Sequence, residues 1–207
     1  MIHVVYEDNH VLVAYKPKNI PTQADDSGDE DMLSMVKAYV KEKYGKPGDV
    51  YIGLVHRLDR PTDGLMVFAR TSKASSRLSA QIKDGRFEKH YRAIVWDDSG
   101  ALSTSGRFVD MLYKDREKNI VRVSGEPGAK RAELTYTVEE RNGAEATVDV
   151  RLYTGRSHQI RVQFASRGFP LKGDVKYGRG EKCGLCLTSS YIAFEHPTTK
   201  ERMEFSI

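Results

Sequence analysis

The sequence predicts an α+β fold, with a mixed, mostly antiparallel sheet and a few flanking helices. Three observations carry that expectation. Short apolar runs rich in branched and aromatic residues outnumber the stretches with helical spacing. Most of these runs neighbour one another across turn residues, as hairpins do. Asn142-Gly143 falls between two such segments, 133–141 and 144–153, and is the strongest hairpin signal in the chain.

The elements follow in order. Residues 2–6 and 10–15 read as a hairpin closed by Glu7-Asp8-Asn9, and Lys16-Pro17 ends its second strand. Residues 21–31 form a polar loop rich in Asp, Ser and Gly. A helix follows, capped by Asp31, with Met32, Met35, Val36, Tyr39 and Val40 on one apolar face and Gly45 and Pro47 as stops. Residues 51–55 and 65–69 read as buried strands. Ser72 caps a second helix that turns Ala74, Leu78 and Ile82 inward and ends at Gly85. Residues 87–96 form a strand and 97–105 a loop. Segments 107–113 and 119–123 pair across 114–118. A third helix starts after Thr154-Gly155-Arg156, with Ser157 as its N-cap and Gly168 and Pro170 at its end. Residues 171–180 are an irregular basic loop, and strands over 185–195 and near 203–207 close the chain across His196-Pro197-Thr198-Thr199.

The 207 residues are long enough for one large domain, read here as a single unit over 1–207. No apolar run approaches the ~20 residues that span a bilayer. The opening Met1-Ile2-His3-Val4-Val5-Tyr6 lacks the pattern of a signal peptide, so a cytoplasmic location is expected. A net charge of +4 is mildly basic and by itself weak evidence for a polyanionic partner. Cys183 and Cys186 have CxxC spacing. Redox motifs of that kind open a helix, whereas this pair leads into a strand. A zinc site needs about four ligands, and no second pair exists. Both cysteines are therefore expected to be small buried side chains, and no metal is expected.

Chemistry concentrates between the two runs 51–55 and 65–69. His56, Arg57, Asp59, Arg60 and Asp63 stand there with Pro61 and Gly64. Five polar or charged residues between buried strands are costly unless paired or used. An exposed loop with a local Arg–Asp ion pair is one reading. An aspartate kept ionised in a partly dry cleft is the other, and it needs a cation that Arg57, Arg60 or the distant Arg161 could supply. Asp59 and Asp63 could also serve a hydrolase using paired carboxylates. Arg156, His158 and Arg161 gather at the start of the third helix, where free N–H groups favour anions. Phosphate-cradling GxxxxGK[ST] and GxGxxG, the GxSxG elbow and HExxH are absent.

The residues carry a resemblance. His56-Arg57-Leu58-Asp59 followed by Thr62-Asp63-Gly64-Leu65 resembles the HRLDxxTSGL signature of RNA pseudouridine synthases of the RluA type. Tyr6–His10 through Lys16-Pro17 is similar to that family's opening hairpin, and Glu88–Ala93 to its KxYxA strand. Thr154–Val162 resembles its TGRxHQIRVH segment. Pro170–Asp174 with Tyr177-Gly178 resembles PxxGDxxYG, and Phe194–Pro197 its closing FxHP. Two positions depart from the pattern: Asp63 stands where the family has Ser, and Gln163 where it has His.

The resemblance implies the pseudouridine synthase catalytic fold with a central RNA-binding cleft. It also implies conversion of uridine to pseudouridine within ribosomal or transfer RNA, with no metal or organic cofactor. Asp59 is then the catalytic carboxylate. Tyr91 stacks on the target base and assists removal of the C5 proton, and Arg161 pairs with Asp59. Arg57 helps occupy the space left by the flipped nucleotide, and His56, Thr62, Arg156 and His158 join it as substrate-binding residues. Lys172, Lys176 and Arg179 are further candidates for phosphate contacts. Many relatives carry a small N-terminal RNA-binding module of the S4 type. The chain starts at the opening hairpin with no room for one, so a compact stem-loop substrate and a monomer are expected. An RNA-binding or chaperone protein that keeps the fold without catalysis is the competing reading. An intact Asp59, Tyr91 and Arg161 set argues against it.

Overall fold

The computed structural model describes residues 2–207. The chain forms two compact units. One comprises the residues up to Glu88 together with Ser189–Ile207, and the other Lys89–Thr188. The architecture is the expected mixed, mostly antiparallel sheet with three helices.

The first unit opens with the expected hairpin, β1 (His3–Glu7) and β2 (Val11–Lys16). Asp8 shapes its turn by accepting from the backbone N–H of His10 at 2.7 Å and of Val11 at 2.8 Å. Helix α1 (Met32–Lys43) starts at Asp31, which accepts from the Ser34 N–H at 3.1 Å. Met32, Val36 and Val40 are its buried face. Strand β3 is only Gly53–Leu54, shorter than the run 51–55 predicts, and Tyr51 is exposed. Strand β4 (Asp63–Ala69) is buried at every residue and pairs antiparallel with both β2 and β3. Helix α2 (Ser72–Lys83) is capped by Thr71 rather than Ser72, because the Thr71 hydroxyl accepts from the Ala74 N–H at 3.1 Å.

The unit's strand order is β1-β2-β4-β10, with the last strand β11 (Arg202–Ser206) antiparallel to β10 (Leu187–Glu195). Val11, Val13, Leu65, Val67, Ala74, Leu78, Phe87, Ile192 and Phe194 make its core, with the Phe87 and Phe194 rings stacked at 5.4 Å. Gly64 has φ +113°, and a Cβ there would lie 2.4 Å from the Ser189 carbonyl oxygen. Only glycine permits that approach at the entry to β4.

The second unit holds β5 (Glu88–Trp96, from Lys89 on), β6 (Ser105–Asp115), β7 (Ile120–Val123), β8 (Lys130–Asn142) and β9 (Glu145–Leu152), in the order β5-β9-β8-β6-β7. All these ladders are antiparallel. Asn142 pairs with Glu145, so the turn is Gly143-Ala144, one residue beyond the expected pair. Helix α3 (Gln159–Ala165) is short, and its N-cap is His158 in the left-handed region at φ 52°, not Ser157. Phe108, Tyr136 and Phe164 pack edge to face or tilted at 4.9–5.3 Å between ring centres. Among the described residues no helix is long and apolar enough to cross a membrane.

Candidate active site

The loop between β3 and β4 belongs wholly to the first unit. Asp59 is half-buried, and the backbone on each side of it is gripped. The Thr22 hydroxyl donates to the Leu58 carbonyl at 2.8 Å and accepts from the Leu58 N–H at 3.2 Å. The Arg60 carbonyl accepts from the Lys16 ammonium at 3.0 Å and from the Asn19 N–H at 2.9 Å. The Thr62 N–H closes a turn on the Asp59 carbonyl at 3.0 Å. A carboxylate on so restrained a backbone keeps its aim.

Lys16 is the centre of that restraint and was not among the candidates read from sequence. Its side chain is 0 % exposed, and its ammonium also donates to the carbonyls of Pro17 at 2.9 Å and Ile20 at 2.6 Å. Burial pulls its pKa down to about 8, against the raising effect of Asp63 and Asp59, while Arg60 lowers it further. The signal was the lysine that closes an apolar strand. A lysine there usually reads as solvated, and one of its carbonyl partners, Arg60, lies 44 residues away.

Asp63, one of the two departures from the family pattern, is also buried. It accepts from the Tyr15 hydroxyl at 2.6 Å. Burial, then that hydrogen bond and the carboxylate charge, push the Tyr15 hydroxyl up to about 12. His56 is buried against Phe87 with ring centres 5.6 Å apart, and its Nε2 accepts from the Val67 N–H at 3.0 Å. The Val67 hydrogen bond fastens the loop to β4. Thr62 is buried, and Arg57 is exposed. Arg60 turns to the polar loop 21–31, pairing with Asp29 and donating to the Ser27 hydroxyl at 3.0 Å.

In the second unit Tyr91 lies on the buried face of β5 with Lys89, two residues earlier. The Lys89 ammonium lies 3.4 Å from where a Cβ on Gly155 would stand, and burial lowers its pKa. It is a second cation that sequence reasoning did not single out as a candidate.

Arg161 is 4 % exposed and forms a bidentate pair with Asp174, Nε to Oδ2 and Nη2 to Oδ1, both at 2.7 Å. Burial alone would raise the Asp174 carboxyl. The Arg161 hydrogen bonds and charge, with the N–H groups of Lys176 and Tyr177, hold it below its ordinary value. The Arg161 guanidinium also lies 5.1 Å from the Tyr177 ring centre. His158 Nδ1 meets the Tyr177 hydroxyl at 2.6 Å, which in turn accepts from the Val121 N–H at 2.8 Å. Gln163 donates to Asp110 at 2.6 Å.

The expected anion site at the start of α3 is not built as read. Arg161 is buried on Asp174, and His158 is half-buried with its Nδ1 on Tyr177. Arg156 is exposed, with its Nε donating to the Arg131 carbonyl at 2.9 Å. Lys172 pairs with Glu145, Arg179 with Asp98, and the Lys176 ammonium donates to the Asn119 carbonyl. Cys183 is exposed, contrary to the expectation that both cysteines are buried.

Residues 10–166 match the family described as RNA pseudouridylate synthase. An RNA pseudouridine synthase of Bacillus subtilis, YhcT, is 34% identical over 205 residues, covering 97% of this chain and 66% of the relative. The ribosomal large subunit pseudouridine synthase D of Pseudomonas aeruginosa is 35% identical over 221 residues, covering 99% of this chain and 67% of the relative. The chain thus spans about two thirds of the length of these curated relatives. A solved structure of human RNA pseudouridylate synthase domain containing 4 matches with a TM-score of 0.81 at 18% identity, covering 99% of this chain and 87% of that one. That last likeness concerns the fold. With the signature loop on β4 and the family match over most of its length, the chain belongs to the RNA pseudouridylate synthase family, whose members are isomerases.

Proposed function

We propose that this chain isomerises specific uridines in structured ribosomal or transfer RNA to pseudouridine, with Asp59 as the catalytic carboxylate. The observation that carries this reading is the signature loop itself, with the backbone of Leu58 and Arg60 held on either side of Asp59. The uridine leaves its stack, at a cost of a few kcal/mol. The bond from C1′ to N1 breaks and one from C1′ to C5 forms. The proton lost from C5 is balanced by one gained at N1. No atom is added or removed and no electron leaves the nucleotide, so the chemistry asks for no metal or organic cofactor.

In this proposal Tyr91 stacks on the base and assists loss of the C5 proton, and Arg161 is the counter-ion that keeps Asp59 ionised after desolvation. An aspartate with an unperturbed pKa near 3.9 enters that state already charged at neutral pH. Arg57, exposed beside Asp59, fills the space of the extruded nucleotide. Arg156, exposed at the Thr154–His158 turn, contacts phosphate. The contacts of His56 with Val67 and Phe87, and the burial of Thr62, suit support of the loop better than contact with RNA. The protein acts as a monomer in the cytoplasm.

Mapping pseudouridines in ribosomal and transfer RNA from cells with and without the protein tests this reading. Loss of one or a few defined sites is expected. An unchanged map would return the protein to the competing class of RNA binders without catalysis.

A further inference from the structure

The cysteine pair is the one sequence motif that the proposed reaction does not absorb. Cys183 and Cys186 flank a tight turn in which Gly184 has φ +77°. Both sulfurs converge on one atom, the Gly184 carbonyl oxygen, at 3.5 Å from Cys183 and 3.8 Å from Cys186. Cys183 is exposed and Cys186 half-buried, and both are reduced. Backbone hydrogen bonds fix the turn's far side: the Cys186 N–H donates to the Lys172 carbonyl at 2.9 Å, and the Cys186 carbonyl accepts from the Ile94 N–H at 3.2 Å.

The Lys172 ammonium is paired with Glu145, whose hydrogen bond holds it above its ordinary value. Thiolate is the reactive form of cysteine, and the exposure of Cys183 gives a small disulfide access to its sulfur. Among the described residues no group of three or more His, Cys, Asp or Glu side chains could hold a metal, so these two sulfurs lack the further ligands a zinc site needs. The pair precedes strand β10 and not a helix, so it lacks the helix N-terminus that serves thiol–disulfide oxidoreductases.

The turn is also coupled to a buried ion pair. A Cβ on Gly173 would fall 1.8 Å from the Gly184 carbonyl oxygen and 3.1 Å from the Cys183 sulfur, so the two turns lie in direct contact. Gly173 precedes Asp174, which grips Arg161.

We propose that Cys183 and Cys186 form a reversible dithiol–disulfide site for low-molecular-weight disulfides, and that its closed form stiffens the Gly173–Asp174 turn. The exposed Cys183 thiolate attacks one sulfur of the small disulfide, forming a mixed disulfide and releasing one small thiolate. The Cys186 thiolate then attacks the Cys183 sulfur and releases the second. Two electrons pass from the protein to the small disulfide, and the two cysteine protons end on the released thiols. Nothing in this step depends on the RNA chemistry.

The test treats the full chain with millimolar oxidised glutathione, blocks remaining thiols with N-ethylmaleimide and measures intact mass. The wild type is expected to end lighter by two hydrogens with no alkylation, and dithiothreitol restores both thiols. Cys186→Ser should stop as a glutathione adduct, and Cys183→Ser should react about tenfold more slowly. A wild type that keeps two alkylatable thiols, or ends as a stable adduct, overturns the site. Amide hydrogen exchange over residues 171–177 should slow in the oxidised wild type and not in Cys183→Ser under the same buffer. Equal exchange in both overturns the stiffening.

Discussion

Each unit buries a cation next to residues of the family signature, and the two do it by different means. In the first, the Lys16 ammonium is satisfied by three backbone carbonyls. In the second, the Arg161 guanidinium is neutralised edge to edge by the Asp174 carboxylate. Carbonyl dipoles offset desolvation only partly, so Lys16 falls to a pKa of about 8. An arginine does not lose its proton, and its bidentate partner is held ionised. The backbone grip on the Asp59 loop is thus pH-sensitive near neutrality. The side-chain grip on Arg161 is not, until acid reaches Asp174.

The largest effect should come from breaking the second grip. Asp174→Ala leaves a buried guanidinium without that partner and is expected to cost about 3–5 kcal/mol of stability. Urea unfolding measures it, and a loss under 1 kcal/mol would mean that water or another group replaces Asp174. The depressed carboxyl gives this pair its sign. Its stabilisation is present at neutral pH and is lost as pH falls through the lowered Asp174 value.

Lys16→Met addresses the first grip. Three hydrogen bonds disappear together with the cost of burying the charge, so the net loss should be smaller, on the order of 1–3 kcal/mol. The pH dependence separates the two terms. The folded pKa of about 8 lies below the ordinary lysine value of 10.5, so the unfolded chain binds more protons between those values. The Lys16 contribution to stability therefore rises with pH across that window. Activity should move the other way, since a neutral amine holds the Arg60 carbonyl less firmly. We expect an alkaline limb in kcat near pH 8 that Lys16→Met removes; a limb unchanged in the variant would unlink Lys16 from the loop.

Asp63→Ser restores the family residue. It removes the charged acceptor from the Tyr15 hydroxyl, so that group should titrate below its present value of about 12, toward 10.0. Ultraviolet titration of the phenol reads this, and an unshifted tyrosine would assign the elevation to burial alone. The smallest effect is at the surface. Arg156→Ala should weaken RNA binding and reduce the salt slope by about one; an unaltered slope removes Arg156 from the phosphate contacts.

The strands were legible because alternation and turn chemistry act locally. The β8–β9 hairpin, the Asp31 cap and the inward residues of α2 all follow from neighbours in sequence. The misplaced caps were degenerate locally. Thr71 and Ser72 offer the same hydroxyl one residue apart, and the left-handed His158 has no glycine to announce it. The candidate site residues were named through the family pattern, and their supports were not legible in it. Lys16 finds its partners at Pro17, Ile20 and Arg60, and Asp63 finds Tyr15 48 residues away. The Arg60 and Tyr15 partnerships span 44 and 48 residues and exist only once β2 and β4 are side by side. The exposed Cys183 was misread because composition favours burial of cysteine, whereas turn geometry decided it.

The central claim is that Asp59 carries the chemistry on a loop whose backbone the fold holds still. Asp59→Asn keeps the size of the side chain and the backbone hydrogen bonds around it, and removes its charge. The direct measurement is pseudouridine formation alongside RNA affinity for that one variant. The account predicts that product formation is abolished while binding stays close to that of the wild type. Normal pseudouridine yield from Asp59→Asn would contradict it.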